Sequence, residues 1–565
     1  MKKYQPIITL LLLVTLITSA QTASWQWAYS APGYIQATGT NIKTDAAGNV
    51  YALGYFYSAV LVIGGDTILS TDTAGYVENF YLIKYSPSGT VLWSTGLGDV
   101  TNGLSNPVMT TDAFGNVIVG GSFNGPYIVL GTDTLYNQNY PGRNIPFFLV
   151  KYNSSGNVVW TALGDTSITL AAISTDAAGN IYATGQLVDT TGTWGTQTLT
   201  NAGYTNAIIG KFDSSGNALW AHSFGGTRYD KGLAISNDAA GNSYISGIYS
   251  SPGITIGPVT LTDTNQYNYL FILKYDSSGN LIWGQGIASS SQPLNNNIVA
   301  DAEGNVYVTG VIGGDDTIHI GGITLINPGQ AGYGDVFTAK FNSTGQAIWA
   351  KCPQTNNEAY GTAITIGSNG NLYLAGNFSD TTIVFGTDTL RNPDITQNQP
   401  EALFIAALDT QGNAIWLADA GSSSQENVYG NALTTDADGN VYVTGQFSSS
   451  IVVFGDDTLQ GTTVDESATL FIAKYGPGVT GINNIPASAN TLLIYPNPSS
   501  AQFNFKGIAE GSILQIYNVL GQNIYTAIVS GDTYSLNLSG NAKGVYLYRV
   551  LNNAAVVHQG KIVLE

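Results

Sequence analysis

The chain has 565 residues, and only 10% of them are charged, against the usual quarter. A formal charge of -19 and a pI near 4.3 argue against a nucleic-acid partner, whose phosphates need Lys and Arg, and leave glycans, proteins or calcium as partner classes. With 68 Gly and 34 Tyr the composition is that of strands and turns, which predicts an all-β protein; a single core would stop growing well short of this length, so domains or repeats are required.

The chain opens with "MKKYQPIITLLLLVTLITSAQ": Lys2 and Lys3, an apolar run from Ile7 to Ile17, then Thr18-Ser19-Ala20. This predicts a secretory signal peptide over 1–20, cleaved before Gln21, with an apolar core too short for a comfortable membrane span. No cysteine follows that point until Cys352, the only one, so neither a lipid anchor nor an internal disulfide is expected. A buried structural thiol suits Cys352 better than a nucleophile, since no histidine lies close to it in sequence.

From residue 21 to 476 one pattern recurs with a period of about 65 residues. Its first marker is an Asp-x-x-Gly-Asn turn, as in "TTDADGNVYVTGQF" at Thr434, with the glycine at Gly48, Gly115, Gly179, Gly241, Gly304, Gly370 and Gly439. These glycines number seven units. The second marker is a run ending Lys-Tyr or Lys-Phe, followed by a Gly turn and then Trp93, Trp160, Trp220, Trp283, Trp349 or Trp416. The seventh tryptophan is missing after Tyr475, but Trp27 stands about one period before Trp93. Each unit reads as four strands, and the Trp27 strand supplies the fourth strand of the last unit. The predicted fold is thus a seven-bladed β-propeller closed by an N-terminal strand, which hides two sheet edges. A third marker, Gly-x-x-Thr-Leu or Ile, runs from Gly64 in the first unit to Gly455 in the seventh and predicts an extra hairpin between the second and third strands, decorating one face of the disc. With these three markers in register, the chain resembles the SBBP-type β-propeller repeat family of exported bacterial proteins. That resemblance implies the architecture and no activity.

Six units carry the turn aspartate (Asp45, Asp112, Asp176, Asp238, Asp301, Asp436), and the same six carry the lysine that ends the third strand (Lys84, Lys151, Lys211, Lys274, Lys340, Lys474). The sixth unit has Gly367 and Ala407 instead. The two positions lie on one blade edge, two strand spacings or about 9.6 Å apart, so a structural ion pair is expected in each of the six; the alternative is a turn-forming Asp and a solvated Lys.

Residues 477–489 read as a linker rich in Gly, Pro, Ser and Asn, and 490–565 as a small antiparallel β-sandwich. Tyr495-Pro496-Asn497-Pro498, Tyr517-Asn518 with Gly521, Gly544-Val545-Tyr546 with Arg549, and Lys561-Ile562-Val563 appear in the order seen in the type A sorting domain of the type IX secretion system, which this module resembles. The resemblance implies passage through an outer membrane of a Bacteroidota-type host, removal of this domain, and release or attachment at the cell surface. A carbohydrate-binding or fibronectin-like sandwich is the alternative.

Catalytic chemistry finds little to build from. The three histidines, His222, His319 and His558, form no metal-ligand spacing, and no Gly-x-Ser-x-Gly elbow or P-loop is present. "DSSGNALW" at Asp213 is similar to a sialidase Asp box, but its Trp falls four residues after the glycine rather than three. Asp436, Asp438 and Asn440 alternate as calcium ligands do, but most other units have Ala or Phe at the middle position; no other cofactor is expected. Binding is the better expectation, because the loops entering the innermost strands differ from unit to unit on a repeated scaffold. Tyr229, Tyr360 and Tyr429 fall near the channel mouth, placed either to stack on a glycan or protein ligand or to pack between blades. The resulting expectation is a secreted or surface-attached, non-catalytic binding or adhesion module. The alternative is a polysaccharide-active hydrolase or lyase using carboxylates on the channel rim.

Overall fold

The computed structural model describes residues 23–31, 36–70, 78–97, 103–142, 145–262, 269–288, 297–313, 317–327, 334–392, 400–422, 427–448, 450–461, 468–477, 492–518, 522–531, 533–552 and 555–565. The expected signal peptide, nearly all of the expected linker and Gly521 lie outside these residues. Backbone contacts divide the chain into two compact bodies, 1–477 and 478–565.

The larger body is all-β and propeller-type. Seven sheets share one antiparallel four-strand meander, and the fourth of them is extended to six strands by the hairpin of the next unit. In the seventh sheet the outermost strand is Ala23–Ala31, paired antiparallel with Thr469–Pro477, the third strand of that unit. Trp27 stands opposite Lys474, just as Trp93 stands opposite Lys84 in the first unit. The N-terminal strand therefore supplies the missing tryptophan at the repeat's own register. The innermost strands, from Ala37–Thr44 to Val428–Thr435, touch one another in succession, and the last touches the first.

Both faces of every sheet are apolar because each face meets a neighbour. The first and second sheets share a core of Leu53, Phe80, Leu82, Met109, Val119 and Phe148. Ring closure uses the same packing: Tyr442, Leu470 and Ile472 of the last unit meet Val50, Ala52 and Tyr81 of the first. The extra hairpins are present, but they do more than decorate a face. Each lies against the outermost strand of its own sheet, and alternate residues such as Leu61 and Ile63 enter the core shared with the preceding sheet. Three hairpins also pair with the outermost-strand end of the preceding unit, as Ile287 with Ile320, Gln354 with Val384 and Gly421 with Val453.

The smaller body packs a three-stranded sheet, Leu493–Tyr495, Gln502–Lys506 and Thr533–Asn537, on a four-stranded one, Asn523–Ile528, Ile513–Tyr517, Gly544–Asn552 and Ala555–Leu564. Phe503, Phe505 and Leu536 from one sheet and Leu514, Ile516, Val550 and Ile562 from the other form its core.

Candidate functional site

The repeated Asp and Lys sit on a joint between units. Asp112 Oδ1 accepts the N–H groups of Phe114 and Asn116, both at 2.9 Å, and its Oδ2 accepts Asn116 Nδ2 at 2.8 Å, which fixes the turn. Lys151 Nζ then reaches Asp112 Oδ2 at 2.8 Å, with both side chains buried. Burial pushes the Asp112 carboxyl up, but hydrogen bonds from Asn116 and Lys151 outweigh it and hold the group below the usual carboxylate range. The other close pairs are Lys84 with Asp45 at 3.3 Å, Lys211 with Asp176 at 3.6 Å and Lys274 with Asp238 at 4.0 Å.

Two of the six expected pairs do not form within 4.0 Å. Lys340 lies 4.9 Å over the Tyr307 ring, and Lys474 lies 5.4 Å over the Tyr442 ring and donates to the Pro87 carbonyl at 3.1 Å. The turn donors do not decide which pairs close, since Asp238, which pairs with Lys274, accepts the same four kinds of donor as Asp436. Asp436 gives its oxygens to the N–H groups of Asp438 and Asn440, to Asn440 Nδ2 and, at 2.8 Å, to the Tyr442 hydroxyl, while its lysine rests on a carbonyl and a ring face. In the fifth unit the Tyr307 hydroxyl likewise donates to Asp301, at 3.3 Å.

Spacing alone did not show that the lysine and tryptophan of one unit grip the next. Lys84 and Trp93 both donate to the Ser154 carbonyl at 3.1 Å; Lys151 and Trp160 both donate to Ser214, and Lys211 and Trp220 to Ser277. The rings of Trp93, Trp160, Trp220, Trp283 and Trp349 each cover the glycine of the turn they reach. At Gly156, φ is +83° and a Cβ would stand 2.9 Å from Trp93 Cδ2, so the position requires glycine twice over. The ring closes with the same grip, Trp27 and Lys474 both donating to Pro87 of the first unit. In the sixth unit, which lacks both charges, Asn369 supplies the acceptor for the Asn371 N–H and donates to the Tyr373 hydroxyl.

The three candidate tyrosines divide into two settings at the loop-bearing face. Tyr229 is 58% exposed and stacks on Tyr204, itself 63% exposed, with centroids 4.9 Å apart and planes 12° apart. A carboxylate holds this pair from beneath. The fully buried Asp230 accepts the Gly226 N–H at 2.7 Å, the Ser250 N–H at 3.1 Å, the Ser251 N–H at 3.3 Å and the Ser251 hydroxyl at 2.8 Å. The Tyr204 and Thr205 N–H groups both bond the Arg228 carbonyl at 3.2 Å, joining the two loops. The platform is thus fixed before any ligand arrives. Tyr204 was not foreseen, because it lies between strands of the preceding unit, and only the spatial join brings it to Tyr229.

Tyr360 and Tyr429 are half-buried, on the innermost strands of the sixth and seventh units, beside Glu358 and Glu401. Burial, and then repulsion from Glu358, push the Glu401 carboxyl up to about 7. Burial and the Glu401 charge push Tyr429 up to about 12; burial and a hydrogen bond to Glu358 raise Tyr360 further. This adds a carboxylate pair that no sequence signature marked.

The exposed His222 ring stacks on Tyr275 at 6.0 Å, and the exposed His319 meets the Thr324 hydroxyl at 3.2 Å. Cys352 is half-buried rather than buried, and burial raises its thiol pKa. No trio of His, Cys, Asp or Glu that could hold a metal exists among the described residues.

In the smaller body, Asn497 Oδ1 accepts the Val563 N–H at 2.9 Å and its Nδ2 donates to the Lys561 carbonyl at 3.1 Å, so the Tyr495-Pro496-Asn497-Pro498 segment is tied to the last strand through backbone groups. Gly544 has φ +145°, Tyr546 is buried with its hydroxyl on the Ala542 carbonyl, and Arg549 lies over the Tyr517 ring at 5.8 Å.

Residues 493–565 match the family described as the secretion system C-terminal sorting domain. Over 550 aligned positions the chain is 23% identical to an uncharacterized WD repeat-containing protein of Acanthamoeba polyphaga mimivirus, covering 81% of this chain and 39% of that one, so it spans well under half of that relative. Among solved structures it is similar to virginiamycin B lyase from Staphylococcus aureus (10% identity, 79% of this chain and 98% of that one, TM-score 0.38). It is also similar to an ulvan lyase (12% identity, 76% and 96%, TM-score 0.38). No helix among the described residues is long and apolar enough to cross a membrane. The C-terminal module is a secretion sorting domain, and the protein is exported through the type IX system to the outer surface or the medium.

Proposed function

We propose that this protein is a seven-bladed propeller of the SBBP repeat type that binds and adheres to glycan at the cell surface without cleaving it. The signal peptide over 1–20 and the sorting domain are removed on the way out. The observation that carries this reading is the Tyr204–Tyr229 pair: two exposed, stacked rings on loops locked by the buried Asp230. Such a surface offers flat apolar area with hydroxyls at its edge, which suits the C–H faces of sugar rings, and pre-ordering removes much of the entropic cost of binding. Retention of the protein in gels containing a panel of polysaccharides tests it. Tyr204→Ala and Tyr229→Ala should each abolish the retardation; unchanged mobility shifts in both variants would remove the pair from the binding site.

A second reading rests on a different observation. Glu401, held near neutrality beside Glu358 and flanked by Tyr360 and Tyr429, has the protonation range of a general acid or base. It makes the protein a polysaccharide hydrolase or lyase acting at the channel rim. New reducing or unsaturated chain ends that vanish in Glu401→Gln would establish it.

A further inference from the structure

The seven innermost strands carry, among their described residues, three charged side chains: Lys43, Asp230 and Lys231. Asp230, which begins its strand, is committed to its loop, and Lys231 follows it at the rim. Lys43 stands alone, second from the end of Ala37–Thr44 and near the face that bears the Asp-x-x-Gly-Asn turns, opposite that rim.

The register places Lys43 in a belt. It lies opposite Tyr51 on the second strand of its sheet, and the residues at the same position in the other units include Thr110, Ser174, Ser236, Thr365 and Thr434; the remaining one is a valine. The preceding residue, Ile42, is buried in the core, so Lys43 projects from the other side of the strand. Its surface remains partly accessible although neighbouring sheets cover both faces of its own. The innermost strands line the central channel, and Lys43 stands near their turn-bearing end, so the accessible space lies at that mouth of the channel. Lys43 makes no hydrogen bond or ion pair with any described residue, and desolvation lowers its pKa.

The belt around it has donors to spare. Ser236 Oγ accepts the Ala300 N–H at 3.1 Å, which leaves its O–H free to donate, and Thr110, Ser174 and Thr365 bond no other described residue. The next position along the strands is different: the Thr44, Thr111 and Thr175 hydroxyls each donate to a carbonyl of the neighbouring strand. One lysine with no carboxylate partner, in a belt where Thr110, Ser174 and Thr365 keep free hydroxyls and Thr434 shares its own with Thr44 at 3.4 Å, makes a site that favours anions.

We propose that the central channel binds an oxyanion at Lys43, a carboxylate, sulfate or phosphate group, with the belt hydroxyls donating to its remaining oxygens. The group can belong to a free inorganic ion or to an anionic sugar residue. The test titrates the full chain with sodium sulfate, inorganic phosphate and a sulfated oligosaccharide against sodium chloride at matched ionic strength. It follows the melting temperature and, after reductive 13C-methylation, the NMR signal of Lys43, assigned by its loss in Lys43→Arg. The expected result is a saturable rise in melting temperature, a saturable shift of the Lys43 signal, and at least tenfold weaker binding in Lys43→Met. Response to the inorganic ions assigns the site to a free anion; response to the oligosaccharide alone assigns it to a glycan-borne group. Equal responses of wild type and Lys43→Met, or an unmoved Lys43 signal throughout all three titrations, would overturn the proposal. Should Lys43→Met fail to fold, the Lys43 signal decides by itself. The glycan reading of the tyrosine pair stands or falls separately, because the two sites lie at opposite ends of the channel.

Discussion

Replacing Asp112 by Asn in the second unit leaves a buried ammonium with one long hydrogen bond. The Lys151 side chain is 8% accessible and that of Asp112 0%, and without the carboxylate Lys151 keeps only the Ser214 carbonyl at 3.4 Å. Breaking a buried pair from one side costs about 3–5 kcal/mol. Lys151→Met is milder, about 1–3 kcal/mol, because Asp112 keeps three turn donors from Phe114 and Asn116. The double variant should cost less than the sum of the two by about 1–3 kcal/mol, since no stranded charge remains. The sixth unit already lives in that state: with Gly367 and Ala407 it keeps the turn bonds Gly367 N–H to Asn371 at 2.9 Å and Gly370 N–H to Gly367 at 2.9 Å. A seven-unit array need not unfold in one step, so urea unfolding should be paired with hydrogen exchange resolved to the second and third units. Additivity of the two single costs within about 0.5 kcal/mol would refute the pairing argument.

Acidification should weaken the second unit: the folded-state pKa of Asp112 is depressed, so its contribution is complete above the ordinary carboxylate range and disappears as pH falls through the folded value, read as faster exchange there and not in the sixth unit. Glu401 works in the opposite sense. Its pKa is raised to about 7, so local stability of Ala402–Leu408 should fall as pH climbs from the unfolded carboxyl value toward 7 and level off beyond, and Glu401→Gln should flatten that slope. Trp27→Ala should cost about 3–5 kcal/mol and open the closure, since the ring is 9% exposed, covers Gly89 and donates to Pro87; light scattering should detect association through the freed edge of Thr469–Pro477. Gly156→Ala should destabilise despite its small size, because φ is +83° and Trp93 occupies the space; an unchanged denaturation midpoint would contradict the packing.

The repeat made the architecture legible because each marker does the same mechanical job in most units. Asp112 shapes a turn, Trp93 covers the glycine of the next turn, and the stand-in at Trp27 had to come from the other end of the chain. Spacing placed Asp near Lys but could not show that each lysine also meets a tyrosine ring or a carbonyl, or that Lys340 and Lys474 stop short of the carboxylate. It also could not show that Lys84 and Trp93 share one acceptor in the neighbouring unit, since the contact spans 70 residues for the lysine. The site was less legible than the fold. Tyr229 stood out as an aromatic in a variable loop, whereas Tyr204, Glu358 and Glu401 acquire meaning only through loops that meet in space.

The central claim, binding without cleavage, is tested most directly by incubating the full chain with each polysaccharide that retains it and quantifying reducing and unsaturated chain ends over time. The account predicts retention that depends on Tyr204 and Tyr229 with no new ends above the protein-free control. Chain ends that accumulate with the wild type and cease with Glu401→Gln would contradict it.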